Sequence, residues 1–190
     1  MIIFDLDCLA NDEHRRHFIE KPEDVCHECY KLLIQQPIID IQCLCGRWPT
    51  RWKPDYKAYN EACERDKPIE SCADVIRQMS LRFPENSKPI EIWSIRCESM
   101  MEKTTEWIHT EIGYFKFTLK MRPIGDTRPK EELFESWVNE QCADHIEAQI
   151  NGKPFGVKHN IDCVFSSHKK TMEMFRKRGV FVFDCNQEKE

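Results

Sequence analysis

Short apolar segments alternate with helical patterns along most of the 190-residue chain, and this alternation limits the possible folds more than any other feature. Strands are predicted at 1–7, 90–94, 114–121, 161–165 and 180–183. Helices are predicted at 56–64, 70–82, 99–110, 129–150 and 168–178. Strands that are followed by helices in this way predict an α/β fold with a parallel sheet and right-handed crossover connections.

The carboxyl ends of the predicted strands carry most of the candidate functional residues. Ligand sites in open parallel sheets lie at these ends, which here are occupied by Asp5, Asp7, Ser94, 121–126 and 166–167. In a continuing strand the two aspartates would face opposite sides of the sheet. Because the first strand ends at this point, both carboxylates are expected to reach the same edge.

The segment 20–55 interrupts the alternation, and we interpret it as a Cys-rich insertion within a single domain that spans 1–190. It contains four prolines, two tryptophans and two close pairs of cysteines, with thirteen residues between the pairs. The four cysteines are Cys26, Cys29, Cys43 and Cys45. Two thiolate pairs at this separation are typical of structural zinc, which would help so short an insertion to fold. The alternative is a set of reduced, partly buried cysteines, because the second pair is Cys-x-Cys rather than Cys-x-x-Cys.

Composition and charge indicate a globular cytoplasmic protein. The net charge of −5 disfavours binding of duplex DNA by broad charge attraction, although a local basic cleft is compatible with it. No run of 18 apolar residues and no signal-peptide pattern occurs, so no membrane contact is expected. Most of the eleven cysteines are therefore predicted to be reduced, and buried or metal-bound.

Five segments, taken in order, resemble the haloacid-dehalogenase-like (HAD) phosphatases, and among them the 3'-phosphatase domains of phage and bacterial polynucleotide kinases. The segments are 2–7 with Leu9-Ala10 and His14-Arg15, 59–68, 92–96, 121–128 and 164–171. The resemblance implies a HAD-like Rossmannoid three-layer sandwich with a central parallel sheet. It is also compatible with an origin in a phage, in which case the protein would be located in the host cytoplasm.

The resemblance also implies roles for individual residues. Asp5 stands at the position of the nucleophile that forms an aspartyl-phosphate, and Asp7 at that of the general acid and base. Ser94 matches the hydroxyl residue of the second motif. Phosphate contacts are implied for three arginines, which are Arg15, Arg96 and Arg128.

Two elements of the HAD pattern are replaced. Counting from the preceding loop places Phe134 where the family has a lysine, and Lys130, one helical turn earlier, is the candidate substitute. Ser166 and Ser167 stand where the family has aspartates that bind Mg²⁺. Neutral hydroxyls are poor ligands for a hard cation, so Mg²⁺ binding at Asp5 is expected to be weak.

Three functions follow as alternatives. The first is a degenerate HAD-like protein that binds a phosphorylated ligand, such as a nucleotide or a nucleic-acid end, or a protein partner, with weak or no catalysis. The second is an active Mg²⁺-dependent nucleotide or polynucleotide phosphatase that uses Asp5 as nucleophile and Lys130 as its cation. The third is a zinc-stabilised protein-interaction module in which the α/β core is a scaffold.

The zinc hypothesis predicts about one zinc ion per chain in protein purified without chelator, because four thiolates complete a tetrahedral zinc site. Elemental analysis by mass spectrometry measures it. The variant Cys26→Ser with Cys29→Ser should lose the metal, whereas Cys97→Ser, outside the cluster, should keep it. Zinc-free wild-type protein would contradict the hypothesis.

Overall fold

The fold is taken from a computed structural model, which describes residues 1–20, 55–82, 90–150 and 161–186, with the backbone alone for 142–150. Nearly all of the predicted Cys-rich insertion therefore lies outside the described residues. Within the part of the chain that is described, no helix is both long and apolar enough to cross a membrane.

The described residues form strands and helices that alternate as the sequence predicts. The strands are β1 (Ile2–Asp5), β2 (Ala10–Asn11), β3 (Lys67–Pro68), β4 (Ile90–Cys97), β5 (Phe117–Arg122), β6 (Cys163–Ser166) and β7 (Phe181–Asp184). The helices are α1 (Tyr56–Glu61), α2 (Glu70–Arg82), α3 (Met101–Trp107), α4 (Lys130–Ile150) and α5 (Lys169–Lys177). Short 3-10 helices occur at Leu6–Cys8, Glu13–Phe18, Ala62–Arg65 and Glu98–Met100, and a π turn at Ile108–Ile112.

Five strands form one parallel sheet in the order β5-β4-β1-β6-β7. The first strand lies in the middle, where Phe4 is opposite Ile92 on one side and Phe165 on the other. The short strands β2 and β3 pair separately in an antiparallel arrangement. The predicted α/β class with a central parallel sheet is confirmed.

Helices cover both faces of the sheet, so the fold is a three-layer sandwich. Because successive side chains of a strand point to opposite faces, Ile3 and Phe4 enter two different cores. Phe4 packs in the core that α2 covers, and its ring stacks on that of Phe165 with the centroids 4.4 Å apart. Ile3 packs with Trp93 in the core that α4 and α5 cover.

Some predicted boundaries are wrong. Strand β4, predicted to end at Ser94, continues three residues further, to Cys97. The strand predicted from 114 begins at Phe117, and Tyr114 is 88% exposed. The helix predicted at 99–110 consists of a 3-10 turn, the helix α3 and a π turn, which ends at Gly113 with φ +133, a conformation that favours glycine.

The chain divides into two compact units. The first comprises Met1–Asn11 with Lys67–Glu190 and contains the sheet; the second comprises Asp12–Asp66. In the second unit, the buried Arg15 donates to both carboxylate oxygens of Asp66, at 2.7 and 2.8 Å, and to the carbonyl of Tyr59 at 3.0 Å. This buried ion pair fixes the described part of that unit.

Trp93 is a test of the core, because it is fully buried with ring centroids 5.3 Å from both Phe134 and Trp137. Trp93→Ala should lower the free energy of unfolding by about 3–5 kcal/mol, since it removes a large buried side chain and leaves a cavity. Urea titration measures the change. The control Tyr114→Ala removes an exposed ring and should change stability by less than about 0.5 kcal/mol. Equal effects of the two substitutions would contradict this packing.

Candidate functional site

The candidate site begins at the carboxyl end of the central strand. Asp5 is the last residue of β1 and is fully buried. Its Oδ1 accepts from the backbone N–H of Asp7 at 3.3 Å, which caps the 3-10 turn that follows the strand. The Asp7 side chain is 48% exposed. The turn therefore sends one carboxylate inward and leaves the next within reach of solvent.

Lys130, the first residue of α4, joins the two carboxylates. Its Nζ lies 2.6 Å from Oδ2 of Asp5 and 2.6 Å from Oδ2 of Asp7. In the sequence, Lys130 is the candidate substitute for a lysine that pattern counting places at position 134. In the structure, Phe134 lies one helical turn from the site and packs edge-on against Trp93 in the core, so position 134 is a core position.

Ser166 completes the environment of Asp5 from the neighbouring strand. It is the last residue of β6 and is fully buried. Its Oγ donates to Oδ2 of Asp5 at 2.8 Å and accepts from the backbone N–H of His168 at 3.2 Å. From the sequence, Ser166 is interpreted only as a replaced metal ligand, and the hydrogen bond from its hydroxyl to Asp5 is not predicted.

The electrostatics of the site follow from burial and from the shared ammonium. Burial raises the pKa of Asp5, against the opposing attraction of Lys130 and with a smaller contribution from the charge of Asp7. Burial acts to lower the pKa of Lys130, but the charges of Asp5 and Asp7 outweigh it and raise that pKa above its ordinary value. Lys130 is therefore a fixed positive charge at neutral pH, rather than a base or a nucleophile.

Two further predicted site residues lie on β4, which pairs with β1. Ser94 is fully buried, and its Oγ accepts from the backbone N–H of Arg96 at 3.0 Å. Arg96 is 5% exposed, and its guanidinium lies 5.9 Å from the ring centroid of Trp107. Ser94 thus shapes the end of the strand, and a direct role in chemistry stays a prediction.

The other two predicted phosphate contacts, Arg15 and Arg128, have carboxylate partners. Arg15 is paired with Asp66 in the second compact unit, where its role is structural. Arg128 donates from Nε to Asp126 at 2.9 Å, and its hydrogen bonds lower the pKa of Asp126 to about 2. A phosphate contact by either arginine stays a prediction: the Arg15 side chain is only 3% exposed, whereas that of Arg128 is 44% exposed.

Arg122 organises the loop before α4, a role that no local sequence pattern indicates. Its Nε donates to the carbonyl of Ile95 at 3.0 Å, and its Nη1 donates to the carbonyls of Asp126 and Arg128 at 3.1 and 2.6 Å. These contacts fix the path of the chain up to Pro129 and hence the start of the helix that carries Lys130.

The Mg²⁺ that the HAD resemblance implies does not fit the described residues. Hard divalent cations take six or more oxygens, several of them from carboxylates. Oδ2 of Asp5 and Oδ2 of Asp7 both contact Lys130, and Ser166 offers a neutral hydroxyl. Across residues 1–20, 55–82, 90–141 and 161–186, no group of three His, Cys, Asp or Glu side chains is placed to hold a metal ion.

The proposed zinc ligands Cys26, Cys29, Cys43 and Cys45 lie outside the described residues, so zinc stays a prediction. The cysteines among the described residues are Cys8, Cys63, Cys72, Cys97, Cys163 and Cys185. Of these, Cys8, Cys63 and Cys72 are buried, as expected for small core side chains.

Comparison of the sequence with protein-family models and with curated proteins gives no match. Among solved structures, a chain of the Pnkp1/Rnl/Hen1 complex matches with a TM-score of 0.53 and 17% identity, over 96% of this chain and 44% of that chain. A chain of the Pnkp1/Rnl/Hen1 RNA repair complex matches with a TM-score of 0.49 and 18% identity, over 69% and 37% respectively. The first likeness supports the fold. This chain spans less than half the length of each of these two chains.

Lys130→Met should lower the free energy of unfolding by about 3–5 kcal/mol at pH 8, because it leaves the buried carboxylate of Asp5 without its partner. The loss should be smaller at pH 5. A carboxyl whose pKa is raised by burial above 3.8 favours the protonated form when folded, so its contribution to stability falls as the pH rises. Urea unfolding at both pH values measures the difference from wild type.

Two controls accompany that measurement. Adding Asp5→Asn to Lys130→Met removes the uncompensated charge and should recover most of the loss. Lys170→Met removes an exposed lysine paired with Glu131 and should be nearly neutral at either pH. A Lys130→Met variant that is as stable as Lys170→Met, with no pH dependence, would show that the buried pair does not form.

Proposed function

We propose that this protein binds the phosphate monoester at the end of a nucleic acid or on a nucleotide, at a degenerate HAD-like site that hydrolyses it weakly or not at all. The observation that carries the proposal is the buried Lys130 ammonium, which Asp5 and Asp7 hold at the carboxyl edge of the sheet.

The position of the site in the sheet supports ligand binding. The chain passes from β1 to β4 and β5 on one side, and β6 and β7 then follow on the other side of β1. Open α/β sheets bind their ligands in the crevice at such a reversal of strand order, outside the carboxyl ends. Asp5 and Ser166 end the two strands that meet at this reversal.

The charge at the site supports an anionic ligand. Lys130 is held by two contacts of 2.6 Å, so it loses little freedom when a ligand binds. Asp7, which contacts the ammonium, is half-exposed, so the site is open to solvent on the side of Asp7. Arg96, buried near the end of the adjacent β4, adds a second positive charge on the same edge.

The choice of a nucleic-acid end rests on resemblance. The segment 121–128 and the residues around Asp5 are similar to those of polynucleotide 3'-phosphatases. A chain of the Pnkp1/Rnl/Hen1 complex shares the fold over 96% of this chain. Both make a polynucleotide or nucleotide phosphate the first ligand to test.

Weak hydrolysis is proposed because of what surrounds the nucleophile position. Ser166 stands where the family has a carboxylate, and it donates to the same oxygen of Asp5 that Lys130 contacts. An oxygen that accepts from two donors is a poorer nucleophile than one that is exposed. Loss of one preorganised electrostatic group typically costs about 10²–10³ in rate.

Active catalysis is the second candidate, and the position of Lys130 favours it. In that reaction Asp5 would attack phosphorus to form an aspartyl-phosphate while Asp7 protonates the leaving oxygen; Asp7 would then activate the water that releases phosphate. Lys130 would stabilise the charge that develops on the phosphoryl oxygens. The 2.6 Å contact between the Lys130 ammonium and Asp5 supports this role.

Fluorescence anisotropy with single-stranded oligoribonucleotides tests binding. Oligonucleotides with a 3'-phosphate, a 5'-phosphate or only hydroxyl ends are compared. The Kd of at least one phosphorylated oligonucleotide should be at least about tenfold lower than that of the hydroxyl-ended one, which corresponds to about 1.4 kcal/mol. Nucleoside 3'- and 5'-monophosphates as competitors distinguish a nucleotide from a strand end. Lys130→Met should lose the preference, whereas the control Lys170→Met should keep it. Equal affinity for all ends in the wild type would contradict the proposal.

Phosphate release from the same oligonucleotides separates the two candidates. Turnover near or above about 1 s⁻¹, within the ordinary range of enzymes, would establish the second candidate if Asp5→Asn abolishes it. Tight binding without such turnover is the expected result.

A further inference from the structure

We propose that phosphate binding at this site requires no divalent cation, because the Lys130 ammonium already compensates the charges of Asp5 and Asp7. The inference rests on the proposed function and deepens it by assigning the cation of the site. It departs from the Mg²⁺ dependence that the HAD resemblance implies.

The carboxylate oxygens are the first part of the argument. Oδ2 of Asp5 accepts from Lys130 at 2.6 Å and from Ser166 at 2.8 Å, while its Oδ1 accepts from the backbone N–H of Asp7 at 3.3 Å. Oδ2 of Asp7 contacts the same ammonium at 2.6 Å. At least three of the four oxygens therefore already accept from the protein, and a cation would have to share or displace these hydrogen bonds.

The neighbouring strand ends are the second part. A hard cation would need a further carboxylate from β6 or β7, at the edge where β1 ends. On β6 this position is Ser166, and its hydroxyl points inward to Asp5. On β7 the residue in register with Ser166 is Asp184, whose Oδ1 accepts from the backbone N–H of Asn186 at 2.9 Å and from its Nδ2 at 2.7 Å. Asp184 is thus used to close the turn after its own strand.

Charge is the third part. A divalent cation bound to these carboxylates would lie beside an ammonium that contacts both of them, and like charges repel most strongly where solvent is excluded. The Lys130 side chain is only 6% exposed, and its raised pKa keeps it charged. One positive charge is therefore permanently built into the site, at the position where a ligand phosphate would need it.

Binding with and without Mg²⁺ tests the inference. The Kd of the preferred phosphorylated oligoribonucleotide is measured in EDTA and in MgCl₂ at matched ionic strength, since salt alone weakens binding of nucleic acids. The two values should agree within about twofold, which is under 0.5 kcal/mol. Binding that is tenfold or more tighter in Mg²⁺ overturns the inference and leaves the proposed function intact. Loss of the phosphate preference in both buffers contradicts the proposed function itself.

A gain-of-function variant gives a second, ligand-free measurement. Ser166→Asp places a third carboxylate beside Asp5 and Asp7, and 10 mM MgCl₂ should raise its Tm by about 3 °C. The wild type and the control Ser71→Asp, which adds the same charge at an exposed position on α2, should shift by less than about 1 °C. A Mg²⁺-induced shift in the wild type as large as that of Ser166→Asp would overturn the inference.

Discussion

A single buried ammonium holds the functional edge of this protein together. Lys130 reaches from the first turn of α4 to two carboxylates that the end of β1 and the following turn bring side by side. Without this charge, Asp5 would be a buried anion with only a hydroxyl and a backbone amide to stabilise it. The site, the end of the central strand and the start of the longest described helix therefore depend on one another.

The parallel sheet supplies the geometry that this interaction needs. Because β1 lies between β4 and β6, the ends of three strands converge and bring Ser94, Asp5 and Ser166 to one edge. The two cores on either side of the sheet hold these ends in place, with Phe4 anchored on one face and Trp93 on the other. Packing of the two apolar cores thus sets the positions of the polar side chains at the strand ends.

The same arrangement decides how the chemistry is interpreted. The ammonium that contacts Asp5 comes from Lys130, the candidate substitute for the lysine that pattern counting places at position 134, and this contact supports the proposed phosphate binding as well as the alternative of catalysis. The hydroxyl of Ser166, in contrast, engages the nucleophile position and offers no charge to a metal ion. We therefore propose phosphate binding rather than phosphoryl transfer for a site in which the described residues supply an ammonium but no third carboxylate placed to hold a metal ion.

The sequence by itself determined the α/β class and the residues at the strand ends, because alternating periodicity is a local property that burial in a parallel sheet imposes. It also predicted the helix that begins near Pro129. Only the tertiary structure decided which lysine reaches Asp5, where Ser166 points, and that Arg15 pairs with Asp66, since these contacts join residues 51 to 161 positions apart. Such distances depend on how whole elements pack, and no local pattern encodes them.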